Sequence, residues 1–442
     1  MNERTEDRLR AHLGTLDSVA VPGTGEVEVA VQRARRRHER RRRAAAGVAA
    51  VALVATGGVA AWRSTSSREG AATSPTTDAT IVGSTVVGST VVGSTVVDTS
   101  TASTTPAPVV VGADGGWAAI PPNPRGPLTG ATVVWTGTEA IAVGGTLASG
   151  DDAGVDAYDP ATQQWRAVSD DVPLLAPIIA WTGSEVLAVG WTATGAPRSV
   201  AATLDVTTGE WTVRADSPLP DKLWSENPWV WTGSELLVAT GEHSTPGATF
   251  HTIAYDPATD RWRALAAAPL APRNQAASVW TGSEWIVWGG NDDTDDFADG
   301  AAYDPAADSW RPLPASPLSP RRVPAVWTGT EMILAAGFGG GNGINALGDG
   351  AAYDPATDTW RSIADGPAHP GFAPQWTGRL LLLFAKGGVV AYDPVADAWH
   401  SDDLSFGAVS HDDQSPVWTG TAVLLLGSYF GETGGAVFIP PA

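Results

Sequence analysis

The tripeptide Trp-Thr-Gly recurs through most of this chain at a nearly constant spacing. Its seven copies begin at Trp135, Trp181, Trp231, Trp280, Trp327, Trp376 and Trp418. Successive copies lie 42 to 50 residues apart. A period of this length is typical of proteins built from repeated units that bury a shared core by packing against their neighbours. Most of the chain is therefore predicted to be one repeat domain.

A second signature between these copies indicates the structure of each unit. Tyr-Asp-Pro precedes a tryptophan at fixed spacing, as at Tyr303 and Trp310. Val, Ile, Trp and Tyr fill the flanking segments, as half-buried strands favour. The glycine of Trp-Thr-Gly suits a tight hairpin, and Asp-Pro suits a type I turn. Each unit is predicted to form four strands, A to D, which in the fourth unit span residues 277–280, 284–289, 300–304 and 310–313.

The two ends of the repeat region predict how it closes. Residues 437–440 (Val-Phe-Ile-Pro) resemble a strand C, and no strand D follows them. Residues 117–121 (Trp-Ala-Ala-Ile-Pro) resemble the strand D that begins at Trp310. An N-terminal strand D in the last unit would leave no open sheet edge in the ring. We predict an all-β, seven-bladed β-propeller with four-stranded blades over residues 117–442.

The repeat resembles the kelch family of β-propellers. The resemblance rests on Tyr-Asp-Pro and Trp at fixed spacing, on the pairs Gly144-Gly145 and Gly289-Gly290, and on an arginine before strand A at Arg273 and Arg321. The double glycine is incomplete in other units. The family includes copper oxidases that need a cysteine-linked tyrosine, and this chain has no cysteine. The resemblance implies a scaffold that binds ligands through its variable loops.

The segment before the repeats predicts a membrane anchor. A dense arginine cluster ends at Arg43, and residues 44–62 carry no charge, which is about the length of a membrane-spanning helix. Arginines on the N-terminal flank place that side in the cytoplasm. We therefore expect residues 1–43 to form a cytoplasmic head, residues 44–62 to cross the lipid bilayer once, and the propeller to be extracellular. The alternatives are a cleaved signal peptide and a nucleic-acid contact by the arginines.

Two further segments complete the predicted domain organisation. Residues 63–116 are rich in Ser, Thr, Val and Pro, with Val-Gly-Ser-Thr-Val in tandem from Val82, and are predicted to be a disordered linker. The layout of head, span and linker resembles single-pass membrane proteins of actinobacteria. Some anti-sigma factors share it, so a signalling role for the head is one alternative.

The charge of the repeat domain limits its partners. From residue 117 onwards, Asp and Glu number 37 against 14 Lys and Arg, a net charge near −23. A surface this acidic disfavours nucleic acid and anionic glycans as partners. We expect a protein, peptide or glycan instead.

The candidate ligand site lies on one face of the predicted ring. The A–B and C–D turns are short and repetitive, whereas the B–C and D–A loops vary in length and sequence and share the opposite face. Variable loops on a rigid scaffold usually carry the functional residues. The basic and aromatic residues of these loops are Arg125, Trp191, Lys222, Trp224, Arg273, Arg321, Arg322, His369 and His411. They suggest a pocket that tolerates anions or sugars. The alternative is that the arginines brace blade junctions.

Signals for chemistry are sparse. Asp292, Asp293, Asp295 and Asp296 cluster in one B–C loop and form a weak Ca²⁺ candidate, although their spacing is not that of an EF-hand. The histidines show no metal-ligand spacing, and no catalytic set or cofactor motif is recognised. The sequence therefore favours a non-enzymatic binding module. A carbohydrate-active surface enzyme, epimerase- or hydrolase-like, is the other alternative.

Overall fold

The chain folds into seven four-stranded antiparallel sheets arranged as the blades of a β-propeller. The computed structural model describes residues 83–85, 92–94, 116–126, 128–147, 153–192, 198–218, 226–241, 248–340, 345–367, 374–385, 388–400, 415–426 and 435–440. The predicted all-β propeller of seven four-stranded blades is confirmed.

Strands A and B form the inner half of each blade and are almost wholly buried. From blade 1 to blade 7, strand A spans Thr132–Trp135, Leu174–Trp181, Trp229–Trp231, Ala277–Trp280, Ala325–Trp327, Gln375–Trp376 and Ser415–Trp418. Strand B spans Ala140–Val143, Val186–Thr192, Leu236–Thr240, Trp285–Trp288, Met332–Ala335, Leu381–Ala385 and Val423–Leu426.

Strands C and D form the outer half. Strand C spans Val155–Asp159, Ser199–Leu204, His251–Asp256, Gly300–Asp304, Gly350–Asp354, Gly388–Asp393 and Gly435–Ile439. In blades 1 to 6, strand D spans Gln164–Ser169, Trp211–Asp216, Arg261–Ala264, Ser309–Pro312, Thr359–Ile363 and Ala398–His400. Blade 7 takes its outer strand from Gly116–Ile120, which pairs with Gly435–Ile439 so that Trp117 lies opposite Phe438.

Among the described residues, three short two-stranded sheets accompany the blades. Two of them lie in B–C and D–A loops, pairing Leu128–Thr129 with Thr146–Leu147 and Phe338–Gly339 with Asn345–Ala346. The third pairs Gly83–Thr85 with Val92–Ser94, within the range predicted to be a linker. The predicted head (1–43) and span (44–62) lie outside the described residues. Among the residues that are described, no helix is long and apolar enough to cross a membrane.

The A–B turns of all seven blades and the C–D turns of blades 1 to 6 follow directly from the sequence motifs. In the A–B turn, the Thr281 hydroxyl accepts the backbone N–H of Glu284, and Gly282 has a φ of +99°, which only glycine adopts at low cost. In the C–D turn, the Asp304 carboxylate accepts the N–H of Ala306, which is an Asx turn. Asp308 closes this turn in the left-handed region, with a φ of 46°.

The core lies between blades rather than within them. In the described part of the ring, one hydrophobic cluster fills the space between each pair of neighbouring blades, including blades 7 and 1. Trp288 of blade 4, for example, packs with Met332 and Tyr353 of blade 5. Because a blade buries its two faces only against its neighbours, the ring is the unit that is stable.

In blades 1 to 6, a tryptophan on strand D ties the blade to the preceding one. The indole N–H of Trp310 donates to the backbone carbonyl of Ala266 in blade 3, at 2.9 Å. The same indole packs on Tyr303 of its own blade, with ring centroids 5.2 Å apart. The equivalent donors and carbonyl acceptors are Trp165 and Pro121, Trp211 and Asp171, Trp262 and Ala215, Trp360 and Pro314, and Trp399 and Ala364, at 2.7–3.1 Å. This repeated bond explains why the strand-D tryptophan recurs.

A polar network, here called the junction tetrad, accompanies the indole bond. Between blades 3 and 4, Glu235 accepts two bonds from Arg263, which also contacts the Tyr303 hydroxyl. That hydroxyl donates to Asp308 at 2.6 Å. Asp308 also accepts the backbone N–H of Ala266 in blade 3. The tetrad thus links the A–B turn and strand D of one blade to strand C and the C–D turn of the next.

The indole bond is predicted to carry measurable stability. Trp310→Phe keeps an aromatic ring but removes the donor to Ala266, and we expect it to lower the free energy of unfolding by about 1–2 kcal/mol. Thermal and denaturant unfolding of the full-length chain measure this. Val395→Ala is the control, because Val395 is 92% exposed and its change should stay within about 0.5 kcal/mol. Equal effects of the two variants would contradict the assignment.

The tyrosines predict a loss of stability at alkaline pH. Burial raises the pKa of Tyr158, Tyr303, Tyr353 and Tyr392 to about 12, whereas an unfolded chain titrates near pH 10. The neutral phenol is therefore favoured by folding. Its contribution is complete below about pH 10 and is lost as the pH rises to about 12. Absorbance at 295 nm should show these phenols ionising near pH 12 in buffer and near pH 10 in denaturant.

Candidate functional site

The variable face is the end of the ring that carries the B–C and D–A loops. In a four-stranded antiparallel blade these loops share one end, and the A–B and C–D turns share the other. Five of the nine candidate ligand-binding residues lie on described parts of this face, namely Arg125, Trp191, Arg273, Arg321 and Arg322. The other four, Lys222, Trp224, His369 and His411, lie outside the described residues.

Arg273 braces the B–C loop of blade 4 from beneath. Its side chain is fully buried, and it forms an ion pair with Asp299 at 2.8 Å. The guanidinium also donates to the backbone carbonyls of Gly289 and Asp299, at 3.1 and 3.3 Å. These two residues are the first after strand B and the last before strand C. Arg273 therefore fixes both ends of the loop, and Phe297 of that loop covers it, 4.1 Å from ring centroid to Cζ.

Arg321 does the same in blade 5. It is fully buried and donates two bonds to the Asp349 carboxylate, both at 2.8 Å. It also donates to the carbonyls of Ala336 and Asp349 on either side of the B–C loop, at 3.4 and 3.3 Å. Hydrogen bonding to Arg321 lowers the pKa of Asp349. The pair remains charged and bidentate, which is the strong form of this contact.

Arg125 makes a related brace in blade 1. It donates to the carbonyls of Ala153 and Ser169 and pairs with Asp170 at 2.7 Å. Its Nε lies 3.1 Å from the buried carboxylate of Asp156. Burial raises the pKa of Asp156, against the opposing effects of a hydrogen bond from Asn123 and of Arg125. This carboxylate is held inside the blade by its partners.

Arg322 joins blades rather than the ends of one loop. It contacts the buried carboxylate of Asp296 in blade 4, with Nε and Oδ1 3.4 Å apart. It also donates to the side-chain oxygen of Gln275, in the loop before blade 4, at 3.3 Å. All four described arginines act as braces, but the alternative that they brace blade junctions fits Arg322 only. Three of them brace a loop of their own blade, and Arg322 spans a junction.

The groups that remain on the outside of these braces are carboxylates and partly buried apolar rings. Asp299 and Asp349 are 59% and 44% exposed in their side chains. Trp191 is half-buried near the end of strand B in blade 2, and Phe338 is half-buried in the B–C loop of blade 5. Around the two fully buried arginines, the exposed charges are thus those of Asp299 and Asp349. The expectation of a basic, anion-tolerant pocket does not hold for Arg273 and Arg321.

The acidic loop of blade 4 is organised by its own hydrogen bonds. The Asp292 carboxylate accepts the backbone N–H groups of Thr294 and Asp295, and Asp296 pairs with Arg322. Asp293 lies in the left-handed region, with a φ of 73°. Within the described residues, no three or more His, Asp or Glu side chains are arranged to hold a metal ion. This arrangement gives no support to the weak Ca²⁺ candidate of Asp292, Asp293, Asp295 and Asp296, which stays a prediction.

The partners of the arginines were not recognised from the sequence, although a signal was present. In blades 4 and 5 an aspartate directly precedes strand C, in the same string Asp-Gly-Ala-Ala-Tyr-Asp, from Asp299 and Asp349. A Pro-Arg pair also precedes strand A in these two blades, and a third, Pro124-Arg125, precedes it in blade 1, which lacks that string. Co-occurrence of the two motifs would have predicted an ion pair within each blade.

Comparison with known proteins leaves the family open. The chain matches no protein-family model, and no curated protein is significantly similar to it in sequence.

The braces are predicted to be structural. We expect Arg321→Met to lower the free energy of unfolding by about 3 kcal/mol, because it removes a buried charge and its hydrogen bonds while Asp349 stays partly hydrated. The matched control is Arg198→Met. Arg198 pairs with Asp216 on the surface, with side chains 55% and 52% exposed, so that loss should stay below about 1 kcal/mol. Denaturant unfolding separates the two, and similar losses would argue against a structural brace.

Proposed function

We propose that this protein is a membrane-tethered, extracellular propeller of the kelch type that binds a protein, peptide or glycan through its variable face without transforming it. The observation that carries the proposal is the bracing of that face. Buried arginines fix the ends of its loops, so that their surface groups are held in place before a ligand arrives. A site organised in advance loses less conformational entropy on binding.

The kelch assignment is supported by the double glycine. Gly289 and Gly290 have φ values of 68° and 89°. A Cβ at Gly289 would lie 2.8 Å from the Arg321 carbonyl oxygen, and one at Gly290 would lie 2.6 Å from that of Asn274. Both glycines therefore stand where loops from neighbouring segments approach too closely for a side chain. Gly144 and Gly145 repeat the positive φ in blade 1.

The tether is supported by the sequence alone. The uncharged stretch 44–62 follows a dense arginine cluster and precedes a Ser- and Thr-rich segment. Carbonate washing of cell membranes followed by protease treatment of intact cells tests it. A tethered extracellular propeller stays with the membrane and is removed by the protease. Release by carbonate, or full protection in intact cells, would contradict the proposal.

Binding is tested by thermal shift of the full-length chain with cell-wall glycan fragments and a peptide library. A ligand that binds only the folded state adds about 2.7 kcal/mol at a hundredfold excess over its Kd. We expect Trp191→Ala, on the variable face, to weaken any such ligand about tenfold or more.

The control for this assay is Val395→Ala. Val395 is in the C–D turn of blade 6, at the opposite end of the ring, and is 92% exposed. It should leave the shift unchanged. A ligand whose binding responds to Val395→Ala but not to Trp191→Ala would place the site elsewhere.

A further inference from the structure

The junctions of the ring are unequal in their polar contacts. Complete tetrads with the arginine directly after the strand-D tryptophan occur at junctions 3/4, 4/5 and 5/6, through Arg263, Arg311 and Arg361. Junction 2/3 has a variant in which Arg214, further along strand D, faces Glu185 at 3.5 Å. At all four junctions a tyrosine hydroxyl donates to an aspartate of the C–D turn, at 2.5–2.8 Å.

The junctions on both sides of blade 7 have lost this network. At junction 7/1, Ala422 and Ala118 stand where the other blades have glutamate and arginine, and Gln163 stands where they have aspartate. Tyr158 is the one member retained. At junction 6/7, the corresponding positions hold Leu380, His400 and Phe438. Apolar packing remains across junction 6/7, as between Phe384 of blade 6 and Phe438 of blade 7, whose ring centroids are 6.1 Å apart.

Blade 7 differs in its connectivity as well. In blades 1 to 6 a short turn joins strand C to strand D, and the Asx turn after strand C orders it. Strand D of blade 7, Gly116–Ile120, comes from the other end of the repeat domain and has no such turn. A strand that is joined to its neighbour by a hairpin turn stays near that neighbour when the hydrogen bonds between them break. A strand without one gains more chain entropy on leaving.

From these two observations we infer that blade 7 is the point at which the ring opens, and that the strand Gly116–Ile120 detaches first. Opening at junctions 2/3 to 5/6 breaks a tetrad in addition to the indole bond and the apolar contacts. Junction 1/2 has Leu204 and Gly209 in place of the tyrosine and aspartate, but opening there still breaks a hydrogen bond from Arg166 of blade 1 to the Val206 carbonyl of blade 2, at 2.9 Å. Opening at blade 7 breaks no tetrad. Local opening follows the lowest free energy, so the ring has one preferred site of opening.

Hydrogen exchange of the full-length chain, followed by mass spectrometry, tests the inference. We expect the amides of 116–120 and 435–439 to exchange about tenfold faster than those of the matching strands of blades 3 to 5. Equal or slower exchange at blade 7 would overturn the inference.

A designed variant provides the sharper test. Junction 4/5 shows how a tetrad is built where a proline replaces the amide donor after strand D. There Arg311 donates to Asp358 directly, at 3.0 Å, beside Pro314. Pro121 occupies the same position at junction 7/1. The triple change Ala118→Arg, Ala422→Glu and Gln163→Asp would therefore complete a tetrad around Tyr158. Gln163 already has a φ of 57°, close to that of Asp358 at 55°.

We expect this triple variant to slow exchange at 116–120 about tenfold and to raise the Tm. The reciprocal variant, Tyr303→Phe with Asp308→Asn, removes the tetrad at junction 3/4. It should speed exchange in Ser309–Pro312 towards that of blade 7, and leave 116–120 unchanged. If a folded triple variant exchanges at 116–120 as fast as the original chain, or if the reciprocal variant leaves Ser309–Pro312 unchanged, the inference fails.

Discussion

The contact between the face of one blade and the face of the next determines the rest of this structure. A single four-stranded sheet has two apolar faces and cannot cover either of them alone. Every hydrophobic cluster of the described ring lies between two blades. The tryptophan of strand D belongs to both partners, since its ring packs on the tyrosine of its own blade while its N–H reaches the carbonyl of the preceding one. The turns, the strand lengths and the repeat period together place this tryptophan opposite the carbonyl of the preceding blade.

This dependence explains why the fold could be predicted from the sequence. The signals that define a blade are local: Trp-Thr-Gly builds the A–B turn, and Tyr-Asp-Pro builds the C–D turn, as at Thr281 and Asp304. Because each motif is repeated, a turn that is ambiguous in one blade can be assigned from its equivalents in the other blades. The number of strands and blades then follows from counting. The Glu–Arg pairs, such as Glu284 with Arg311, were not predicted. Their tyrosine partner in the next blade is distant in sequence, and that contact exists only once the ring is formed.

The variable face could be located but not described. Its position follows from strand order alone. The roles of its residues depend on partners that are distant in sequence, as Arg321 and Asp349 are, and on which side chains the loops bury. Counting basic residues there suggested a positive pocket, whereas the pairing leaves Asp299 and Asp349 at the surface instead. The sequence shows that a residue is charged, but only the structure shows whether that charge is exposed to a ligand or paired inside the protein.

One consequence of the strand exchange in blade 7 concerns orientation. Gly116 lies opposite Ile439, which ends strand C at the side of the A–B and C–D turns. The chain therefore enters the ring at that side, on the rim of one blade, and the B–C and D–A loops are at the far end of the same axis. Gly116, the first residue of strand D in blade 7, is thus on the side of the A–B and C–D turns. The attachment point at Gly116 itself therefore leaves the B–C and D–A loops uncovered.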